Sequence, residues 1–307
     1  MKKMLFFGHL YHWHTRSSRF IIELFRDYYD IDEMTVDSNL RINVAPESDP
    51  DCDYSKEYDV LILWQVRLDI GLLRSVFKFR HIAFFPMYDA TISMTDSDWL
   101  MFKDATIVSF CATLHNRLRL KHLKSHYIQY YPKALDITDW GQEDRAFFWQ
   151  RSEYVTVDTI APLMEGLNIH KLHLHVASDP GREIEAPKEA VWKRFDITTS
   201  EWFASQADML NVMKNTAYYF APRIFEGIGM SFLEAMAMGR CVVSPDSPTM
   251  NEYIRDGENG LLYAYDEQRP LAKVNSLQNI QKRAHASIVE GHAAWERNKS
   301  IILEWIS

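Results

Sequence analysis

Two glutamates, Glu226 and Glu234, lie eight residues apart on either side of a short turn that contains two glycines. The residues after this turn, 229–238, are apolar on nearly every side, which predicts a buried helix with Glu234 in its middle. A buried ionised carboxylate is costly unless it is paired or hydrogen-bonded. We therefore expect Glu234 either to meet a fixed cation or backbone donors, or to accept hydrogen bonds from ligand hydroxyl groups.

The turn itself, residues 227–229, is expected to leave its backbone N–H groups accessible because two of its three residues are glycines. The positive end of the following helix dipole adds to these donors, so the turn suits a phosphate or a sugar hydroxyl. Glu226, immediately before the turn, would disfavour a phosphate but would suit a neutral polyol. The pattern thus favours a ligand that carries phosphate or hydroxyl groups.

Strand and helix patterns alternate along the chain, which is typical of parallel sheets with helices on both faces. Apolar runs predict strands at residues 3–7, 59–64, 81–86, 105–110 and 125–132, and again at 146–150, 171–177, 217–222, 241–245 and 261–264. Ligands of such sheets bind at the carboxyl ends of the strands. The residues that follow each strand are therefore the candidates for a site.

These patterns predict an α/β fold with two doubly wound, Rossmann-like domains that face a cleft. We place the first domain at 1–135 and the second at 136–290, because the polar segment 132–144 is typical of an interdomain hinge. The last segment, 291–307, contains an apolar stripe of Trp295, Ile302, Trp305 and Ile306. We predict that this helix crosses back to the first domain and docks there.

Composition and charge exclude several classes of protein. The chain has 307 residues, of which 47% are hydrophobic and 25% charged, as in ordinary globular proteins. The first 135 residues carry 17 basic and 17 acidic side chains and the remainder 17 and 25, so we expect no nucleic acid as a partner. The three cysteines lie far apart, which predicts free thiols in a reducing cytoplasm.

Several motifs of the second half agree in order with a known family. Pro222, EGIGM, LEAMAMG, a β-run, NEYI and DGENGLL, with the glutamate pair as E-x7-E, resemble the C-terminal half of GT-B fold glycosyltransferases. The resemblance is to family 4 and its relatives, the glycosyl transferases group 1. It covers roughly residues 145–265 and is weaker over 1–135, where short pieces such as FFGH and FPMYDA carry it.

The resemblance implies roles for the residues that match its motifs. Glu234 would hold the ribose hydroxyls of a nucleotide, and Glu226 would bond hydroxyls of the donor sugar. Arg151, after the strand 146–150, would neutralise the departing diphosphate, and fixed cations there lower the barrier. The backbone between the glutamates would contact sugar and phosphate through Gly227, Ile228, Gly229, Met230 and Ser231.

One position departs from the family pattern. The family usually has a lysine five residues after the arginine, and this chain has Thr156. Either activity is lost, or another cation serves. Arg223, next to the donor turn, is the leading substitute and Arg182 the weaker one, whereas an exposed charge is the plain alternative for Arg223.

In the first half, Gly8 and His9 follow the first strand, and Asp89 follows the strand at 81–86. We expect Gly8 and His9 to face the cleft and Asp89 to contact acceptor or sugar. A core histidine and a loop-capping aspartate are the alternatives. The histidines near His9 have no carboxylate or cysteine to complete a metal site, so no metal is expected.

The function that the resemblance implies is that of a retaining hexosyltransferase. It would move a sugar from a nucleoside-diphosphate sugar to a glycan or lipid-linked acceptor, as in cell-surface polysaccharide synthesis, without metal or other cofactor. We expect it in the cytoplasm, with the basic run 115–126 as a possible contact to anionic lipid at the inner face of the membrane. A solvated helix face is the alternative for that run.

Three other readings remain open at this point. A GT-B shell that lost turnover would serve as a scaffold or partner subunit, and Thr156 favours this. A GT-A fold would need an Asp-x-Asp metal site, which DCD (51–53) and DSD (96–98) match in pattern. A sugar-nucleotide epimerase or hydrolase on the same fold is the third.

Overall fold

The chain forms two units. The computed structural model describes residues 1–37, 42–44, 56–178, 181–203, 205–267, 270–271 and 274–307. Unit 1 comprises Met1–Gln129 together with Trp295–Ser307, and unit 2 comprises Tyr130–Ala294. The divisions therefore fall six residues before and four residues after the boundaries that the sequence suggested.

Unit 1 contains a seven-stranded sheet. Its strands are β1 (Lys2–His9), β2 (Tyr29–Val36), β3 (Ile42–Val44), β4 (Glu57–Trp64), β5 (Lys78–Phe85), β6 (Thr106–Ser109) and β7 (Ser125–Tyr127). They lie in the order β3-β2-β1-β4-β5-β6-β7, and only the β2–β3 pair is antiparallel. The order reverses between β1 and β4, so the ends of these strands flank the position where ligands bind in such sheets.

Helices cover both faces of this sheet. They are α1 (Leu10–Thr15), α2 (Arg19–Arg26), α3 (Ile70–Val76), α4 (Tyr88–Thr91), α5 (Asp96–Leu100) and α6 (Ala112–Leu120). The apolar runs of β4 and β5 are buried almost throughout, as predicted for strands covered on both sides. The predicted strand 125–132 is shorter than expected, because residues after Tyr127 leave the sheet.

Unit 2 contains a six-stranded parallel sheet. Its strands are β8 (Gln142–Gln150), β9 (Lys171–Val176), β10 (Asp196–Ser200), β11 (Thr216–Phe220), β12 (Cys241–Pro245) and β13 (Leu261–Tyr263). Its helices are α7 (Val157–Gly166), α8 (Glu189–Arg194), α9 (Gln206–Lys214), α10 (Met230–Ala237) and a 3₁₀ turn at Met250–Glu252. The strands lie in the order β10-β9-β8-β11-β12-β13, so the reversal falls between β8 and β11.

The C-terminal stripe is buried within unit 1. Two helices, α11 (Leu277–Asn298) and α12 (Ile301–Ile306), replace the single helix that the sequence predicted. Trp295 packs edge-to-face on Phe20 at 5.9 Å, and Ile302 and Ile306 are fully buried. Trp305 stacks on a histidine of β7 at 4.6 Å. No helix among the described residues is both long and apolar enough to cross a bilayer.

One buried cation joins several loops of unit 2. Arg240 is 1% exposed, and its guanidinium donates only to backbone carbonyl oxygens. The acceptors are those of Met238 (3.0 and 2.8 Å), Lys214 (3.0 Å), Thr216 (2.7 Å) and Asp139. Burial lowers the pKa of Arg240 to about 10, so it remains charged at neutral pH. The side chain thus holds together the chain segments at the starts of β8, β11 and β12.

We expect Arg240→Met to lower the free energy of unfolding by at least about 3 kcal/mol, because hydrogen bonds from a charged donor contribute about 1.5–3 kcal/mol each. Urea unfolding followed by circular dichroism measures this change. Arg194→Met is the control, since that side chain is 60% exposed and its surface ion pair with Glu165 contributes little. Equal losses in the two variants would contradict a structural role for the buried guanidinium.

Candidate functional site

The candidate site of unit 2 lies where its strand order reverses. Arg151 directly follows β8, and the segment that contains Glu226 directly follows β11. Because β8 and β11 are neighbours in a parallel sheet, both segments leave it at the same edge. The sheet therefore brings together two regions that are separated by some 70 residues in the sequence.

Tyr219, near the end of β11, shows which charges meet there. Its side chain is buried, and burial raises the pKa of its hydroxyl well above the usual value. The negative charges of Glu226 and Glu234 raise this pKa further, whereas Ser231 and the positive charge of Arg151 oppose the rise. Four groups, Arg151, Glu226, Ser231 and Glu234, thus lie within electrostatic range of one buried phenol, and all four are residues that the sequence singled out.

Glu226 is more deeply buried than the sequence suggested. The residue is 5% exposed, and one carboxylate oxygen lies 3.7 Å from Nη1 of Arg223. Arg223 therefore compensates the buried charge. The sequence suggested Arg223 as a cation for the diphosphate. In the structure its guanidinium lies beside Glu226, the carboxylate that was assigned to the donor sugar.

Thr249 holds the backbone of the donor turn. Its hydroxyl donates to the carbonyl oxygens of Glu226 at 2.6 Å and Gly227 at 2.8 Å. The Glu226 N–H in turn donates to the carbonyl of Pro248 at 3.1 Å. The turn at Gly227, Ile228 and Gly229 is buried rather than open, and these hydrogen bonds hold its backbone.

Helix α10 is buried on all sides but one. Met230, Ser231 and Glu234 are its half-buried residues, and their spacing places them on one side of the helix. The expectation that Glu234 is enclosed in an apolar helix is therefore wrong, because this strip of α10 is open. A half-exposed carboxylate on the open strip is accessible to a ligand.

Gly229 begins this helix in a left-handed conformation, with a φ angle of +77°. A Cβ atom here would overlap the ring of Phe232, which is itself buried. The first amides of a helix have no acceptors within it, so those after Gly229 are donors at the site. Glycine is thus required by both backbone conformation and space.

Arg151 lies over an aromatic ring. Its guanidinium carbon is 4.5 Å from the ring centroid of Trp149, which lies two residues earlier, inside β8. Thr156, which replaces the expected lysine, is the N-cap of α7, and its hydroxyl accepts from the Thr159 N–H at 3.3 Å. Its role in the structure is therefore to begin a helix.

Arg182, the weaker substitute cation, forms an ion pair outside this group. Its Nη1 lies 2.8 Å from a carboxylate oxygen of Glu153 and 3.3 Å from the hydroxyl of Tyr154. The side chain is about half exposed. Arg223, by contrast, lies 3.7 Å from a carboxylate oxygen of Glu226, which is a residue of the predicted site.

In unit 1, Gly8 and His9 are the last residues of β1, next to the reversal of strand order. His9 Nδ1 accepts a hydrogen bond from the Tyr11 N–H at 3.1 Å. In the neutral ring the proton is then on Nε2, which makes that atom a donor. Asp89 lies in the first turn of α4, just after β5, and is half-buried.

The Asp-x-Asp triplets do not form a metal site in the part of the chain that the structure describes. DCD (51–53) lies outside the described residues. In DSD, Asp98 forms a capping box with Thr95, whose backbone N–H donates to the carboxylate at 2.7 Å. These hydrogen bonds lower the pKa of Asp98. No group of three metal-ligating side chains occurs among the described residues.

The basic run 115–126 is partly committed to internal contacts. Arg117 donates to two backbone carbonyls that precede α5, at 3.0 and 2.6 Å. Lys121 forms an ion pair with Asp96. The cations that remain exposed are Arg119 and Lys124.

Three residues of this region were missed by the sequence analysis. Trp149 and Tyr219 lie inside predicted strands, where an aromatic residue is usually part of the core. Their positions near the carboxyl ends of β8 and β11 are the signal that would have marked them. Thr249 gives no such signal, because its contact with the turn depends on a loop after β12.

Part of the chain matches a known protein family. Residues 152–279 match the family described as glycosyl transferases group 1. This part of unit 2 is therefore similar to a group 1 glycosyl transferase domain. No curated protein sequence matches the chain significantly.

Solved structures with the same fold cover nearly the whole chain. Sucrose-phosphate synthase from Thermosynechococcus elongatus is 11% identical, with a TM-score of 0.66 over 99% of this chain and 98% of that one. A glycosyltransferase from Rickettsia africae is 11% identical, with a TM-score of 0.63 over 100% and 99%. HepE from Anabaena, solved with UDP and glucose, is 11% identical, with a TM-score of 0.59 over 98% and 100%. The chain therefore has the GT-B fold of glycosyltransferases.

The two constraints on Gly229 can be separated. Gly257 also has a positive φ angle, +71°, but a Cβ there would meet nothing within 4 Å. We expect Gly257→Ala to lower the free energy of unfolding by about 1–2 kcal/mol, the cost of the left-handed conformation alone. Gly229→Ala should cost clearly more, because the buried Phe232 ring must also move. Chemical unfolding of both variants measures the difference, and equal costs would show that space at Gly229 is not limiting.

Proposed function

We propose that the protein is a retaining hexosyltransferase. It moves a sugar from a nucleoside-diphosphate sugar to a glycan or lipid-linked acceptor, as in the synthesis of cell-surface polysaccharide. The observation that supports this most is that Arg151 and the segment with Glu226 and Glu234 follow two neighbouring parallel strands, where the sheet order of unit 2 reverses. The structures of HepE contain UDP with glucose and UDP-glucose, which supports a nucleotide-sugar donor for this fold.

Each part of the donor has a partner in this arrangement. Glu234, on the open strip of α10, accepts hydrogen bonds from the ribose hydroxyls. Glu226 accepts from hydroxyls of the donor sugar, while Arg223 compensates the charge of that carboxylate. The backbone from Gly227 through Ser231 donates to sugar and phosphate oxygens at the start of the helix.

Arg151 carries the proposed electrostatic role. As the bond between the anomeric carbon and the diphosphate oxygen breaks, the leaving group gains negative charge, and a fixed cation stabilises it most in the transition state. The acceptor oxygen forms its bond on the same face of the sugar, and its proton passes to the departing diphosphate. The reaction requires neither metal nor other cofactor in this proposal.

We assign the acceptor side to unit 1. His9 is proposed to donate from Nε2 to a sugar or acceptor hydroxyl, and Gly8 to allow close approach of that ligand. Asp89 is proposed to accept a hydrogen bond from the acceptor. The cytoplasm is the proposed compartment.

Peripheral contact with a membrane is also part of the proposal. Leu120 at the end of α6 is 83% exposed and stands beside exposed Arg119. His122 and Lys124 follow in the next turn and are exposed as well. An apolar side chain among cations is suited to the surface of a bilayer with anionic lipids.

The alternative is a GT-B protein that has lost turnover and acts as a scaffold or partner subunit. The replacement of lysine by Thr156, which caps α7, favours this alternative. Retention of the residues around Tyr219 opposes it. Release of nucleoside diphosphate from UDP-, GDP- and ADP-sugars, with and without a glycan acceptor, distinguishes the two.

We expect Glu234→Gln and Glu234→Ala to weaken nucleotide binding tenfold or more, since a charge-assisted hydrogen bond contributes about 1.5–3 kcal/mol. The measurement is calorimetric titration with the nucleoside diphosphate whose sugar is turned over. Glu258→Gln, whose side chain is 56% exposed in the turn after β12, is the matched control. Unchanged affinity in a folded Glu234→Ala protein would remove Glu234 from the donor site.

Turnover is expected to persist in EDTA. The proposed partners of the phosphates are Arg151 and the first amides of α10, which act without a metal ion. The assay compares initial rates of nucleoside diphosphate release in EDTA, in Mg²⁺ and in Mn²⁺. Loss of activity in EDTA and its return with Mn²⁺ would contradict the proposed mechanism.

A further inference from the structure

Trp149 and Arg151 form a stacked pair at the end of β8. Trp149 is in β8, and Arg151 is the first residue after it, so the chain brings the guanidinium next to the indole. The guanidinium carbon is 4.5 Å from the ring centroid, which is within the range of a cation–π interaction. The strand thus supplies both the cation and the surface on which it rests.

The indole is itself held in place by the neighbouring strand. Its Nε1–H donates to the carbonyl oxygen of Ala177, just after β9, at 2.8 Å. His175 of β9 packs edge-to-face on the indole, with ring centroids 5.2 Å apart. Trp202, which follows β10, also packs edge-to-face on it at 6.0 Å. The position of the ring is therefore set by contacts that do not involve Arg151.

His175 contributes to this support without adding charge. It is 1% exposed, hydrogen-bonded to the Ser200 hydroxyl at 2.9 Å and stacked on Phe203 at 4.6 Å. Burial, with smaller contributions from His173 and Arg151, lowers the pKa of His175 to about 4. The imidazole is therefore neutral at pH 7, and it does not repel the nearby guanidinium.

The N–H groups of a guanidinium lie in its own plane. When its central carbon rests over an aromatic ring, these groups lie around the edge of the cation. Those groups then point outward along the edge, where they can bind two oxygens of a phosphate at once. We propose that Trp149 is a positioning residue that fixes the Arg151 guanidinium for a diphosphate. This inference rests on the proposed function, which assigns the diphosphate to Arg151, and it deepens that assignment.

The first arm of the test establishes whether Arg151 binds the diphosphate. UDP and UMP are titrated calorimetrically into the wild-type protein and Arg151→Ala, with GDP and ADP and their monophosphates as the alternative pairs. We expect Arg151→Ala to weaken the diphosphate much more than the monophosphate. If no diphosphate binds the wild-type protein, both the proposed function and this inference are wrong. If Arg151→Ala has no effect, the inference is wrong while the role of Glu234 stands.

The second arm is a double-mutant cycle. Trp149→Leu should weaken the diphosphate about fivefold and the monophosphate by much less, and Trp149→Phe should restore most of the loss, since it keeps an aromatic face. In the Arg151→Ala background, Trp149→Leu should cause no further loss, because Trp149 acts through the arginine. Equal losses in both backgrounds, or equal losses for both nucleotides, would overturn the inference.

The controls separate positioning from stability. Trp192→Leu replaces a tryptophan that is 38% exposed on α8, and it should leave both affinities unchanged. Circular dichroism and thermal unfolding show whether each variant is folded. If Trp149→Leu does not fold, the same cycle is measured with Trp149→Phe, where a smaller but still arginine-dependent loss is expected and its absence overturns the inference.

Discussion

Parallel pairing is the constraint on which the site of this protein depends. Every strand of unit 2 enters the sheet from the same edge and leaves it at the opposite one, so the helices must return the chain across its faces. The strand order reverses once, between β8 and β11. The loops that follow these two strands therefore run in opposite directions and leave a crevice between them. Arg151 and Glu226 stand where they do because they are the residues that follow these two strands.

The buried negative charge of Glu226 is compensated by a neighbouring positive charge. Glu226 is enclosed in protein, and an enclosed carboxylate is tolerated only with a charge or donors beside it. Arg223 supplies the charge, and Thr249 fixes the backbone on which the glutamate stands. Protein groups thus hold both the carboxylate and its backbone, and such positioning lowers the entropy cost of binding a ligand. Glu234, by contrast, is half-buried and needs less compensation.

The sequence predicted what depends on local pattern and failed where tertiary contacts decide. The strands β4, β5, β9 and β12 were visible as apolar runs, and the helix at 230–237 was visible from its glycine turn. The strands β2 and β10 were missed because acids and threonines, in DIDEMT and DITTS, interrupt their apolar pattern. β10 is at the edge of its sheet and β2 is next to the edge. Strands in such positions are less completely buried, so they need fewer apolar residues.

The same distinction holds within the candidate site. Glu226, Glu234 and Arg151 were found because family motifs surround them. The burial of Glu226 and the open strip of α10 could not be predicted, since both depend on which elements pack against the turn. Trp149 and Tyr219 were hidden for a related reason: in a strand the sequence does not distinguish an aromatic residue of the core from one beside a ligand.

The division of the chain also bears on how the protein is made. Unit 1 begins at the first residue but includes Trp295–Ser307, so its last elements leave the ribosome after all of unit 2. Trp295 packs on Phe20, a contact between residues that are 275 positions apart. Closing so distant a contact is entropically costly and slow.

In many proteins the N-terminal domain folds completely before the next domain is synthesised. This chain cannot follow that order, because the last elements of unit 1 are made after unit 2. Unit 2 is the first part that can finish folding, and the apolar surface that Phe20 and its neighbours present remains uncovered on the nascent chain until Trp295–Ser307 have been synthesised.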